Sequence, residues 1–181
     1  MGEIKSTLEL ALERTRKLAV TQEEKEEIKR QELLKKATGL SRRYVEGHAP
    51  LHEILREIDR MTDPEKGKVR QILLSQWMEA LSLENDDERL FDGIESLRET
   101  KVSEVRKKFQ LLVSEYQAER KEIEQDIERR ATEELKTEGI SGTAVVPRLE
   151  DHPAWRERTQ AMNALFGKRV EDIREALRSY K

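Results

Sequence analysis

The chain has 181 residues, 35% hydrophobic, 40% charged and only 4% aromatic, with a net charge of −3. So thin an apolar supply excludes a large globular centre and suits helices that bury a stripe. Cysteine is absent, which excludes disulfides, thiolate catalysis and thiolate metal sites and fits a reducing, cytoplasmic setting. No apolar run approaches the roughly 20 residues that a membrane helix needs, and Glu9 and Glu13 break the N-terminal apolar segments that a secretory signal would require.

A first helix is expected over Glu3 to Leu18, with Ile4, Leu8, Ala11, Leu12, Thr15 and Leu18 on one face. Thr21-Gln22-Glu23-Glu24 has the form of a capping box and opens a second helix. That helix runs to Ala37 or, past Gly39, to Glu46; Ile28 is the only apolar side chain in its first stretch. Gly47 stops it, and Pro50 suits the first turn of the next. Leu51, Ile54, Leu55, Ile58 and Met61 give a short third helix.

Asp63 as N-cap and Pro64 at the first position start a fourth helix, which carries Val69, Ile72, Leu73, Trp77, Ala80 and Leu81. This is the most apolar part of the chain and the expected centre of the core. Leu90, Phe91, Ile94 and Leu97 mark a fifth helix. Residues 51–100 are also the acidic quarter, with 7 basic and 13 acidic side chains.

Lys101 to Glu138 contains neither Pro nor Gly and reads as one helix, about 57 Å long at 1.5 Å per residue. Val102, Val105, Phe109, Leu112 and Tyr116 form a seam along it, broken by Glu119 and Asp126. Beyond them, Ile123, Ile127, Ala131 and Leu135 recur every four residues, so the second half is expected to be more exposed or packed at another angle. Gly139 caps the helix. A last helix, Ala154 to Tyr180, restores a seam through Trp155, Thr159, Met162, Phe166, Val170, Ile173, Leu177 and Tyr180. The two seams meet either as an antiparallel hairpin within the chain or across two copies of it.

The expectation is therefore an all-α protein: a small bundle over residues 1–100 and a coiled-coil-like helical hairpin over 101–181. An extended connector lies at 139–153; the alternative is that the two parts form one continuous domain. Thr143 to Val146 favours an extended backbone and suits a strap across the bundle or against a partner's sheet edge.

Few residues point to chemistry. His48 and His52 are separated by Pro50, which removes the one-turn helical geometry of a zinc pair. Glu84 to Glu88 lacks the alternating ligands and the glycine of a calcium loop, and reads as helix-capping acid. Gly139-Ile140-Ser141-Gly142 matches the GxxG clamp of KH domains but lacks the sheet that the clamp needs. Met1 to Ser6 fits the minimal myristoylation pattern, with an acidic residue after Gly2 arguing against it. No phosphate loop, nucleophile elbow or triad is present, so neither catalysis nor a cofactor or metal is expected.

The segments Gly2–Thr15 and Gly139–Pro147 are similar to a family of small bacterial all-helical proteins with no assigned function. That resemblance implies a bacterial cytoplasmic protein, disfavours the myristoyl reading and carries over no site residues.

The function expected is that of a non-catalytic interaction or scaffolding protein acting through helical faces. Phe109, Leu112, Tyr116, Met162, Phe166 and Val170 are its interaction seam, closing either the hairpin or a dimer, and its partner is another protein or a second copy met through helical faces. The alternative is an RNA- or ribosome-associated factor using Lys35-Lys36, Arg42-Arg43 and Arg106-Lys107-Lys108.

Overall fold

The computed structural model describes residues 21–84, 87–140, 142 and 146–180. The first expected helix, the myristoylation pattern and Thr143–Val145 of the strap lie outside them. Among the described residues the protein is all-helical, with six α-helices, one short 3-10 turn and no strand. The chain divides into two compact units between Leu73 and Leu74.

In the first unit, α1 spans Gln22–Val45. Its capping box forms in both directions: Glu24 N–H donates to Thr21 Oγ1 at 3.1 Å, and Thr21 N–H donates to Glu24 Oε2 at 2.8 Å. The first half of α1 is solvated, whereas Ala37, Leu40, Ser41 and Tyr44 are buried, the i, i+3, i+4, i+7 stripe of one helical face. Gly47 ends the helix at φ 80°, a left-handed conformation that costs a glycine little. Pro50 occupies the N-cap of α2 (Leu51–Asp59) and so stands one position earlier than its expected place in the first turn.

Ile54 and Ile58 are the buried pair of α2, and Arg43 ties α1 to it through Glu57 at 2.9 Å. Helix α3, Asp63–Glu79, corrects a second cap. Thr62, not Asp63, precedes the first turn: its carbonyl accepts from Lys66 at 2.9 Å and its N–H donates to Glu65 Oε2 at 3.1 Å. Thr62-x-x-Glu65 is thus a second box-like start that places Pro64 at the second helical position.

The second unit begins within α3, at Leu74. Trp77, Met78 and Leu81 are buried there, as are Leu90, Phe91, Ile94 and Leu97 of α4 (Glu88–Arg98). Helix α5, Ser103–Thr137, is 35 residues long, about 52 Å at 1.5 Å per residue. Its end is a Schellman motif: Gly139 at φ 82° donates to the Lys136 carbonyl, and Ile140 donates to that of Leu135. The 3-10 turn Leu149–Asp151 leads into α6, Pro153–Ser179.

Helices α5 and α6 pack against each other along the most extensive helix–helix contact among the described residues. The second half of α5 stays in that packing, since Ile123, Ile127 and Ala131 are all buried. Burial of each isoleucine stabilises the hairpin by about 1.5–3 kcal/mol.

Candidate functional site: a groove on the α5–α6 hairpin

The hairpin's inner seam is built from the six residues singled out in the sequence. Phe109, Leu112 and Tyr116 of α5 and Met162, Phe166 and Val170 of α6 are all buried within a single chain. Tyr116 meets Phe166 edge to face at a centroid distance of 5.3 Å, and its hydroxyl donates to Asn163 Oδ1 at 3.1 Å. Phe109 also packs on Phe91 of α4 at 5.4 Å, so a third helix shares that end of the seam. These side chains hold the hairpin together and leave little surface for a partner.

Beside the seam, the solvent face of the hairpin holds an open groove of about 660 Å³. Its floor is apolar, formed by Ala118 and Ile123 of α5 with Ala161, Met162, Leu165 and Phe166 of α6. Its two banks carry opposite charge. Glu115, Glu119 and Glu122 line the α5 bank, and Arg158 and Arg169 line the α6 bank.

Ion pairs close both ends of the groove. Arg169 reaches Glu115 at 2.6 Å while lying over the Phe166 ring, and Arg158 reaches Asp126 at 2.5 Å. From Arg158 to Arg169 is about 16 Å along α6, three turns of helix. Burial pushes the Asp126 carboxyl up. Its hydrogen bonds and ion pairs with Arg129, Arg130 and Arg158 outweigh that and leave it below its ordinary value.

The exposed apolar residues on this face escaped the sequence reading. Leu165 is 60% exposed and Leu111 is 64% exposed. Each belongs to a doublet, Leu165-Phe166 and Leu111-Leu112, whose second member is in the core. On a helix, neighbours stand about 100° apart, so a doublet beside a seam puts one side chain inside and one outside. The doublets are therefore the signal that could have revealed this face.

The remaining candidates are placed as follows. His48 lies outside the helices with Nδ1 3.2 Å from Glu46, while His52 is exposed on α2. Among the described residues, no group of three or more His, Cys, Asp or Glu is arranged to hold a metal. Asp87 occupies the N-cap of α4 but does not cap it with its side chain. Its carboxylate instead accepts from the Ser82 N–H at 2.5 Å, a correction to the capping role expected of Asp87, while Glu88 does stand in the first turn of α4.

The basic clusters are mostly engaged with acids of their own chain. Arg106 pairs with Glu88 and with Asp92 at 2.8 Å, Arg42 with Glu46 at 2.7 Å, and Arg43 with Glu57. Lys35, Lys36, Lys107 and Lys108 are exposed.

His152 caps α6: its Nδ1 accepts from the Ala154 N–H at 3.2 Å. Among the described residues, no helix is long and apolar enough to cross a membrane. No family model, curated protein or solved structure matches the chain.

Proposed function

We propose that this is a non-catalytic helical interaction protein whose α5–α6 groove receives an α-helix from a partner. The observation that carries this reading is the groove itself: about three turns long, apolar along its floor, acidic on one bank and basic on the other. The helix that fits presents an apolar stripe at i, i+3, i+4 and i+7. Basic residues flank that stripe on the α5 side and acidic ones on the α6 side. A reducing, cytoplasmic setting is part of the proposal, supported by the absence of cysteine.

Photocrosslinking tests it. A photoreactive phenylalanine analogue replaces Leu165 on the groove or, as a control, exposed Gln160 on another face of α6, and the crosslinked peptides are sequenced by mass spectrometry. The expected result is a product specific to position 165 that maps to an amphipathic helical segment. Identical products from the two positions would overturn the reading.

A further inference from the structure

Four α5 residues of the groove, Glu115, Ala118, Glu119 and Glu122, stand at i, i+3, i+4 and i+7. That is the spacing of the hole into which a side chain of a facing helix inserts. Ala118 gives the hole a shallow rim and room for a branched aliphatic knob. On α6, Leu165 is such a knob, 60% exposed.

The heights of knob and hole agree. Arg169 stands opposite Glu115 and Arg158 opposite Asp126, so each step down one helix matches a step up the other. Four residues on from the first pair, Leu165 therefore stands level with Glu119, at the middle of the hole. The same register sets Leu111 level with Ile173. Its neighbours Arg169, Asp172, Ile173 and Ala176 form a second hole of the same spacing, again with an alanine in it.

We propose that the groove's occupant is a second copy of this chain, related by a two-fold axis parallel to α5 and α6. This rests on the helix-docking reading above. Such an axis preserves height and lays α6 of each copy over α5 of the other, making a four-helix bundle. Leu165 of each copy then enters the other's α5 hole, and Leu111 enters the other's α6 hole.

The charges select this axis over the perpendicular one. A two-fold across the helices would bring the Glu115, Glu119 and Glu122 bank against itself. The parallel axis brings that bank against Arg158 and Arg169 instead. Glu119 and Glu122 have no ion-pair partner among the described residues, and each would lie about one turn from one of those arginines in the other copy. An arginine has five donors, so it can keep its own-chain carboxylate and take a second.

The test is the mass of the full chain by light scattering, with three variants whose changed side chains are exposed, so that folding is preserved and checked by circular dichroism. The wild type is expected at twice 21.2 kDa. Leu165→Glu, which sets a fourth carboxylate among three, is expected at the monomer mass, whereas Gln160→Glu remains a dimer. Mixing Leu165→Glu with the double variant Glu119→Lys, Glu122→Lys is expected to restore a one-to-one dimer, because each knob then meets a compatible hole.

A wild type that stays monomeric at its highest soluble concentration overturns the proposal, as does a dimer indifferent to Leu165→Glu. If the wild type is monomeric while position 165 still crosslinks to a helical segment of another protein, the docking reading survives and self-association alone falls.

Discussion

The Arg174 guanidinium donates to the carbonyl oxygen of Glu79 at 2.8 Å, across 95 positions of sequence. The same side chain donates to the carbonyls of Met78 at 3.1 Å and Leu81 at 3.1 Å. It thereby bonds carbonyls at the end of α3 and, at Leu81, just past it, where the helix supplies few donors of its own. It also sets a positive charge at the negative end of that helix.

Removing Arg174 leaves these carbonyls without their charged donor. Arg174→Ala is expected to lower unfolding free energy by about 2 kcal/mol or more, the scale of hydrogen bonds to a charged group. Arg174→Lys is expected to recover little of that, because an ammonium cannot span three carbonyls as a planar fork does. Urea denaturation of both variants checks this; a lysine variant with wild-type stability would show that charge alone suffices.

Two helix ends make opposite uses of the left-handed conformation. Gly139 adopts it at φ 82°, and Glu99, after α4, adopts it at φ 58° with a side chain present. A Cβ at position 139 would meet nothing within 4 Å, so strain rather than collision decides the outcome there. Gly139→Ala is expected to cost about 1 kcal/mol, and Glu99→Gly, which relieves the backbone but gives up the glutamate's own contacts, to gain less than that. Thermal melts of the two variants should move in opposite directions.

At the seam, Tyr116→Phe keeps the edge-to-face contact with Phe166 and loses only the hydrogen bond to Asn163. A loss of about 1 kcal/mol is expected. Leu112→Glu sets an unpaired carboxylate in a buried position and is expected to abolish the hairpin, read as lost helicity by circular dichroism. Wild-type helicity in that variant would refute the seam.

Hydrogen bonds from Arg178 and Arg174 hold the Glu171 carboxyl below its ordinary value, and Asp126 and Glu46 are lowered as well. A carboxylate whose folded pKa is depressed stabilises the fold above its unfolded value, about 4, and loses that contribution as pH falls through the folded one. Stability should therefore be flat just below neutrality and decline in the acid range. Glu171→Gln should flatten part of the decline in urea titrations.

The helices were legible because their apolar residues repeat with helical period and their ends carry glycine, proline and capping boxes. Thr21 with Glu24 and Gly139 behave as their types predict. The start of α3 was misread by one residue because Thr62 and Asp63 are both good caps, and only the hydrogen bonds distinguish them. His152 was invisible as a cap because the preference for histidine there is weak. The groove was harder still. Its banks are ordinary surface charges until α5 and α6 are set in register, and the register comes from Arg158, Arg169 and their acids across the connector. Arg174 shows the same limit, since no local pattern announces a side chain that reaches carbonyls in another helix.

The links that α6 makes to α5 and to the end of α3 also differ in the length of chain each must close. Asp126 to Arg158 spans 32 positions, Tyr116 to Asn163 spans 47, and Arg174 to Glu79 spans 95. Closing a longer loop costs more entropy unless shorter ones have formed first. We expect α5 and α6 to zip from the connector outward, with the Arg174 link last. Removal of Arg174 should then quicken unfolding and leave the refolding rate nearly unchanged in stopped-flow measurements, whereas weakening the Asp126–Arg158 pair should slow refolding. An equal effect of the Arg174 change on both rates would contradict this order. The last arginine link to form would then be the first to release, making the contact between α6 and the end of α3 the point from which the chain begins to open.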